Sequence, residues 1–511
     1  MFPLRREWFY IMELSQKNNF LQWVAAGSLL GAGFLFPPLW IFGIVGVSWI
    51  IVLSLSTQSI KKLVVGSLAA GTIKAAAALF WFWSVYPIVW LAFDLGRIQL
   101  ILIFFYWITA ALWLGTAVVI FALVAKKLSF YLRKKLLLPL IPFVWMFSEI
   151  VGSLIFSVIT IGEGGVITSA FSFGFVGYLL AQHNILIFGA LFGGVYMLGL
   201  LFVGVAAGLL CIESKHHYIG VVAGVLCVVY ATAYVPLVSR DFVVNDEAYS
   251  VVTIDTTFPP NQIRTPEGAA IIRTELDAAM DVALNLDSDY ILLPEDARYF
   301  NQYQNINQTK AIFQFQKSNP ATIIVDSSRA LSGDDTVLQS YVYNGVENTV
   351  DQSHKRYLVP QGEFMPALYV GVLQLFGFGE LTEKIAQDIS FTVGPKVSQS
   401  EFAQTSPGVL FCFESVSPWG VRTILQERGE VPFIAHPISH AWFHDSEILW
   451  VNLDSMLRVQ AIWNQQYIVS VGSHVSGQVF TPNGSIQTLD EVTSGDGWIV
   501  RQTSIPKKER D

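Results

Sequence analysis

The sequence predicts a multi-pass α-helical membrane domain followed by an α/β domain. Of the 511 residues, 53% are hydrophobic and 14% are charged, and the mean hydropathy is +0.50. This composition is too apolar for an ordinary soluble protein. Charge is also divided unequally: residues 1–238 carry 13 lysines and arginines against 6 aspartates and glutamates, and residues 239–511 carry 18 against 33. We therefore expect a membrane domain over residues 1–238 and an acidic domain over residues 239–511.

The first domain contains seven segments that are apolar enough to span a membrane. They are residues 20–36, 38–56, 63–84, 99–125, 136–156, 186–212 and 218–238. The first two meet at Pro37 and Pro38, which predicts either a tight helical hairpin or a less regular entry into the membrane. The stretch 157–185 is rich in glycine and contains Glu163 and His183. We interpret it as a loop that dips to the membrane surface rather than as an eighth crossing.

The charges of the loops predict the orientation of the domain. Lysines and arginines cluster before the first segment and after the second, fourth and sixth segments. Short basic loops stay on the cytoplasmic side, so the N-terminus is expected inside and, after seven crossings, residues 239–511 outside. Lys74 and Glu149 lie within apolar segments, where a lone charge is costly. We expect both to face the bundle interior, where they can pair; the alternative for Lys74 is that it snorkels to the interface.

In the second domain, short apolar runs alternate with amphipathic stretches. Strands are predicted at residues 249–255, 289–295, 320–328, 338–344, 409–415, 431–437 and 467–473, and helices at 268–286 and 446–463. A final hairpin is predicted around residues 482–484. Mostly apolar strands that alternate with helices are typical of an α/β domain whose sheets are covered by helices.

Cys412 follows an apolar run within GVLFCFESVSP, residues 408–418. Most free cysteines are small buried hydrophobic residues, so this stretch alone favours a packing role. Two other predicted strand ends carry Glu295 and Lys355. A carboxylate, an ammonium and a thiol are the groups that nucleophilic acyl transfer needs: the first accepts the thiol proton, the second stabilises the oxyanion and the third attacks the carbonyl.

The remaining cysteines, Cys211 and Cys227, lie in apolar segments and are expected to pack there. Three cysteines do not form a disulfide framework, so we expect no disulfide and no metal site built from cysteines.

Three motifs give the chain a family resemblance. Pro294 with Glu295, Lys355 followed by LVPQGEFMP, and FCFES around Cys412 resemble the catalytic motifs of the nitrilase superfamily, in the same order. With its multi-helix membrane domain, the whole chain resembles the bacterial apolipoprotein N-acyltransferases. Residues 81–84, Glu149 and GFVGY at residues 174–178 are similar to that family's membrane motifs.

The resemblance implies a nitrilase-like, four-layer αββα sandwich on the extracytoplasmic (periplasmic) side of the inner membrane. It also implies a ping-pong reaction, in which Cys412 takes an acyl chain from a phospholipid as a thioester. The acyl chain then passes to the α-amine of a diacylglyceryl-cysteine at the N-terminus of a lipoprotein. Glu295 would be the general base, Lys355 the oxyanion or orienting cation, and Glu363 and Glu414 supporting carboxylates.

Further expectations concern partners. Phe413, Trp442 and Tyr178 are candidates for substrate contact. We expect no cofactor, no metal ion and no nucleic acid. The expected state is a monomer in the lipid bilayer, with a phospholipid donor and a lipoprotein acceptor.

The chain also departs from the family pattern. Ser439 and His440 stand where the family has Asn-Asp, Gln460 and Trp463 replace the Arg and Glu of Arg-Ala-x-Glu, and Gly152 replaces an arginine. These departures leave two alternatives open. One is a membrane-bound amidase or acyltransferase with another acceptor, and the other is a non-catalytic lipid- or lipoprotein-binding relative.

Overall fold

The computed structural model describes most of both predicted domains. The described residues are 19–89, 91, 95–210, 247–262, 265–300, 322–332, 335–345, 347, 349–389, 391–394, 405–444 and 446–507. The predicted seventh membrane segment, Cys211 and Cys227 lie outside these ranges.

Seven α-helices belong to the described part of the first domain. They are α1 (Asn19–Leu35), α2 (Trp40–Ser56), α3 (Ile60–Ala78), α4 (Ile98–Tyr131), α5 (Lys134–Ile159), α6 (Gly177–Ala181) and α7 (Gly194–Leu209). The 3₁₀ turn Pro37–Leu39 joins α1 to α2, so these helices form a tight hairpin. Among the described residues, three helices are long and apolar enough to cross a membrane: Pro37–Ser56, Ile98–Tyr131 and Leu136–Ile159.

The third and sixth apolar segments contain shorter helices than the sequence pattern predicts. Helix α3 ends at Ala78 and a 3₁₀ helix, Phe80–Val85, follows it. The sixth segment is divided into a 3₁₀ helix, Leu186–Phe192, and α7. Gly194, the first residue of α7, has a φ of +60°, and a Cβ there would lie 2.5 Å from the Trp463 ring. This backbone conformation and close approach interrupt the helix.

The stretch 157–185 adds no further membrane-spanning helix after α5, as predicted. It carries the buried side chains Phe171, Phe173, Phe175 and Tyr178. These pack in one apolar core with residues of both domains. The loop is therefore an apolar layer between the two domains.

The second domain is built on a mixed sheet that folds over on itself. Its strands are β1 (Ala248–Thr256), β2 (Tyr290–Leu292), β3 (Ile323–Ser332), β4 (Asp335–Asn344), β5 (Thr349–His354), β6 (Gly408–Val409), β7 (Ile434–Ser439), β8 (Ile468–Ser473), β9 (Gln478–Phe480), β10 (Ile486–Thr488), β11 (Asp490–Gly495) and β12 (Trp498–Pro506). One half has the order β11-β12-β1-β2-β3-β4-β5 and the other β6-β7-β8-β9-β10. Only the pair Thr256–Ser473 joins β1 to β8.

The two halves pack face to face. Their shared core includes Val251 and Leu292 from the first half, and Phe411 and Val471 from the second. The outer face of the first half packs on α8 (Pro266–Leu284), and that of the second on α11 (Gly420–Arg428) and α12 (Glu447–Asn464). These four layers, in the order αββα, confirm the predicted fold class.

Two further helices connect the domains. Helices α9 (Ala367–Leu375) and α10 (Gly379–Asp388) contribute Leu373 and Ile385 to an apolar cluster. Leu95 and Leu102, at the start of α4, complete it. The α/β domain is therefore packed directly on the membrane domain.

The predicted strand over residues 409–415 is much shorter than expected. Strand β6 has only two residues, and a 3₁₀ helix, Cys412–Val416, begins at the cysteine. The Glu414 side chain accepts a hydrogen bond from the Phe411 N–H, so the carboxylate caps this helix. Cys412 therefore stands at the start of a turn, not within a strand.

Candidate active site

The direction of the strands brings three predicted site residues to one edge of the domain. Strands β1, β2, β6, β7 and β8 form parallel pairs along the sheet. Strand β5 is antiparallel to β4, which is antiparallel to β3, so it also runs in this direction. Glu295, Lys355 and Cys412 follow β2, β5 and β6. Side chains that follow the carboxyl ends of such strands share one crevice.

Lys355 is the centre of a buried network. Its Nζ donates to Glu295 Oε1 at 3.0 Å and to Glu363 Oε1 at 2.6 Å. The exposed fractions of these side chains are 1% for Lys355, 10% for Glu295 and 7% for Glu363. The second oxygen of Glu363 accepts the Val359 N–H at 2.8 Å. Two carboxylates thus fix the ammonium, which compensates the cost of its burial.

Cys412 lies beside this network and is 9% exposed. The charges of both Glu295 and Lys355 act on the pKa of its thiol. Its sulfur lies 3.9 Å from the main-chain oxygen of Ser439, at the end of β7. The structure therefore brings the three predicted catalytic residues together at one site.

Glu414 connects the cysteine turn to the lysine segment. Its Oε2 accepts the Phe411 N–H at 3.0 Å and its Oε1 accepts the Arg356 N–H at 2.6 Å. Phe411 precedes Cys412, and Arg356 follows Lys355. One buried carboxylate therefore fixes the backbone on both sides of the site.

An ion-pair cluster supports the turn after Glu295. Asp296 and Arg298 have φ values of 60° and 56°, in the left-handed region. Asp296 pairs with Arg298 at 2.6 Å and with Arg329 at 3.0 Å, and its N–H donates to Ser327 Oγ. Strained backbone of this kind persists where the surroundings hold it. Sequence reasoning missed the cluster, because nothing in the sequence indicates that Arg329 lies near Asp296.

Burial and charge set the protonation of the site. Burial raises the pKa of Glu295 to about 7, although the Lys355 ammonium lowers it. Burial lowers the pKa of Lys355, but Glu295 and Glu363 outweigh this effect and raise it above the ordinary value. Burial and then the Glu295 charge raise the pKa of the Cys412 thiol, while Lys355 lowers it. At rest the cysteine is therefore a thiol beside a carboxyl group that titrates near neutral pH.

Two cavities meet beside Glu295, whereas the Lys355 and Cys412 side chains line neither of them. A polar cleft of about 430 Å³ is lined by Glu295, Ser439, Ser473 and neighbouring residues. A smaller apolar cavity of about 100 Å³ is lined by side chains of both domains, among them Trp81, Leu102, Tyr106, Met365 and Phe443. Gly362, Ile389 and Trp442 line both cavities. The site thus offers a polar compartment next to an apolar one that borders the membrane helices.

The three candidates for substrate contact lie in different places. Trp442 separates the two cavities. The Phe413 ring lies near Phe171, at 5.8 Å between ring centroids. Tyr178 is buried, its hydroxyl is hydrogen-bonded to Ser172 at 2.8 Å, and it lines neither of these cavities.

The departures at Gln460, Trp463 and His440 lie in the α/β domain, whereas Gly152 lies in α5. Gln460 Nε2 donates to the Ser415 main-chain oxygen at 2.8 Å, and its Oε1 accepts the Val421 N–H at 2.9 Å. Trp463 packs on Trp419 at 4.8 Å between centroids. His440 is fully buried against Trp450. The link from Gln460 to the turn was missed, because a helical glutamine in an apolar stretch carries no signal of its partner.

Fold and site together define a class: a membrane protein whose α/β domain holds a buried site of thiol, lysine and carboxylates. No family model matches the chain, and no curated protein matches it. Among solved structures, it is similar to a glutamine-dependent NAD(+) synthetase from Cytophaga hutchinsonii, with 10% sequence identity and a TM-score of 0.31. The match covers 51% of this chain and 43% of the other. No activity or residue role is transferred from a similarity of this size.

Proposed function

We propose that the protein is a membrane-anchored cysteine acyltransferase that N-acylates lipoproteins, with a phospholipid as the donor. The observation that carries this proposal is Lys355, held between Glu295 and Glu363 next to the Cys412 thiol. A base, a cation and a nucleophile in one buried site are the groups that acyl transfer uses. The resemblance of the three motifs to those of apolipoprotein N-acyltransferases supplies the proposed substrates.

In the first step, Glu295 accepts the Cys412 proton as the sulfur attacks the ester carbonyl of the phospholipid. The Lys355 ammonium stabilises the tetrahedral oxyanion. When this intermediate collapses, the C–O bond breaks and Glu295 returns the proton to the leaving alkoxide. The products are a lysophospholipid and a Cys412 thioester.

In the second step, the neutral α-amine of a diacylglyceryl-cysteine attacks the thioester. Glu295 takes a proton from the attacking nitrogen, the C–S bond breaks, and the cysteine sulfur is protonated again. The products are an amide and free Cys412. Because Glu295 is the base in both steps, the donor and the acceptor can bind the same site one after the other.

The two cavities support this pair of substrates. The apolar cavity would take the carbonyl end of an acyl chain, whose remainder would lie toward lipid along the membrane helices. The polar cleft would take the polypeptide of the acceptor. Every second loop between the apolar segments is basic. Because basic loops stay in the cytoplasm, this pattern supports an extracytoplasmic site in the inner membrane.

The test of the first step is an acyl adduct. Purified enzyme in detergent with phospholipid should form an alkali- and hydroxylamine-labile adduct on Cys412. Cys412→Ala should abolish the adduct, and Cys211→Ala, the matched control, should retain it. The absence of an adduct with every phospholipid would reject the acyl-enzyme mechanism and favour a non-catalytic binder.

The test of the second step is the fate of the thioester. A diacylglyceryl peptide with a free N-terminal cysteine amine should discharge the adduct and gain the acyl chain. Discharge into water alone would reject the transferase and favour an amidase-like hydrolase.

A further inference from the structure

A second buried lysine–carboxylate pair lies between two helices of the membrane domain. Lys74 of α3 places its Nζ 2.6 Å from Glu149 Oε1 of α5. The residues are 6% and 5% exposed, and the Trp145 ring packs beside the ammonium. Neither residue lines the polar cleft or the apolar cavity. Contact with a substrate in these cavities therefore does not explain why the pair is buried.

The pair lies directly beneath the loop that separates the two domains. The Val176 N–H donates to Glu149 Oε1 at 3.1 Å, the same oxygen that Lys74 contacts. Gly174 has a φ of +77°, and a Cβ there would lie 3.9 Å from Lys74 Cε and 3.2 Å from Ala78 Cβ. Glu149 therefore holds the turn at residues 174–176 against the membrane helices, and the Lys74 side chain lies close beneath Gly174.

The other end of this loop contacts the cysteine turn. Ser172 Oγ donates to the main-chain oxygen of Val416, the last residue of the 3₁₀ helix that Cys412 begins. The rings of Phe171 and Phe173 lie 5.8 and 6.2 Å from that of Phe413, which follows the cysteine. Only a few residues of loop thus separate the anchor at Glu149 from the nucleophile's own helix.

We propose that Glu149, with its charge compensated by Lys74, is a positioning residue that fixes the Cys412 turn through the loop at residues 171–176. This inference rests on the proposed role of Cys412 as the nucleophile. A carboxylate is a strong acceptor for the Val176 N–H, and Lys74 makes its burial tolerable. A small displacement of a nucleophile from its base and cation costs reactivity, so the loop must be held firmly.

Two double variants that differ in one hydrogen-bond acceptor test this role. Lys74→Met/Glu149→Gln removes both charges but keeps an amide oxygen for the Val176 N–H. Lys74→Met/Glu149→Leu removes both charges and the acceptor, at similar side-chain size. Neither variant leaves a lone buried charge, so both should fold.

The measurement is the rate of Cys412 alkylation by iodoacetamide, in full-length enzyme that also carries Cys211→Ala and Cys227→Ala. We expect the Gln variant to react within about twofold of the parent, and the Leu variant about tenfold more slowly, since one hydrogen bond to the loop is lost. Thermal unfolding should give similar midpoints for the two variants. Equal alkylation rates in them, whether fast or slow, would overturn the inference.

Ser172→Ala provides an independent arm, because it removes the loop's contact with Val416 and leaves the ion pair intact. It should slow alkylation as well, and an unchanged rate would contradict the proposed path even if the Leu variant did not fold. Alkylation needs no lipid, so the result is separable from the proposed function. If the parent alkylates at Cys412 but forms no acyl adduct, the acyltransferase proposal fails and the positioning role stands.

Discussion

The described part of the chain buries two lysine–carboxylate pairs, and they differ in what surrounds them. Lys355 lies between two carboxylates, and one of them, Glu295, lines a cleft of about 430 Å³. Lys74 has one carboxylate partner, an aromatic neighbour and a backbone N–H that shares the carboxylate oxygen. The same pair of residue types therefore supports chemistry where a nucleophile and a cavity adjoin it. Where it is sealed between helices, it fixes backbone instead.

The largest difference is expected when each carboxylate becomes an amide. Glu295→Gln removes the base that accepts the thiol proton, so acylation of Cys412 should fall by about 10²- to 10⁴-fold. Glu149→Gln, combined with Lys74→Met, should leave the rate nearly unchanged. Single-turnover acylation with labelled phospholipid measures both. Similar losses in the two would contradict the division into a reactive and a structural pair.

Replacing only the lysine of each pair tests how much the lysine compensates the burial of its carboxylate partner. Lys355→Met leaves Glu295 and Glu363 facing each other in a buried site, and Lys74→Met leaves Glu149 unpaired between helices. Each change should lower the free energy of unfolding by about 3–5 kcal/mol, because an uncompensated buried charge remains. Denaturation in matched detergent measures the effect. Glu149→Gln added to Lys74→Met should restore most of the loss, and no recovery would contradict the pairing.

The pH dependence of the acylation rate should depend on the Lys355 network and not on the Lys74–Glu149 pair. Burial raises the pKa of Glu295 to about 7, and the base must be ionised to accept the thiol proton. The acylation rate should therefore fall as the pH drops through about 7, by about tenfold per unit well below it, and level off above it. The Lys74→Met/Glu149→Gln variant should keep the same profile. A rate that is flat from pH 5 to 8 would remove Glu295 from the role of base.

The smallest effect is expected at Glu414, which holds backbone on both sides of the site. Glu414→Gln keeps one acceptor oxygen and turns an amide N–H toward the other donor. Acylation should slow by about tenfold, with little change in the apparent KM for phospholipid, because one strong hydrogen bond is lost. A change in KM alone would indicate contact with substrate instead.

Much of the fold and of the site could be predicted from the sequence. Apolar runs indicated strand ends at Glu295 and Cys412, and the resemblance of the three motifs to the nitrilase superfamily grouped them with Lys355. The pairing of Lys74 with Glu149 followed from the cost of lone charges in an apolar bundle, and the structure confirms it at 2.6 Å. These features depend on the local hydrophobic pattern and on the cost of burying a charge, and both can be read from a single sequence.

Other features depend on contacts between distant segments. The burial of Phe171, Phe173 and Phe175 could not be predicted, because it requires the second domain to cover them. The cysteine turn read as a strand, because the apolar pattern of residues 409–411 continues into Phe413, while Glu414 caps a 3₁₀ helix there. The link from Gln460 to Ser415 spans 45 residues and has no local signal.

The central claim is that Cys412 carries an acyl chain from lipid to an amine. Intact-protein mass spectrometry tests it most directly, first with phospholipid alone and then after addition of a diacylglyceryl peptide with a free N-terminal cysteine amine. The account predicts that the protein gains the mass of one acyl chain at Cys412 and loses it to the peptide, which gains the same mass. A protein that never gains this mass, or a peptide that never receives it, would contradict the claim.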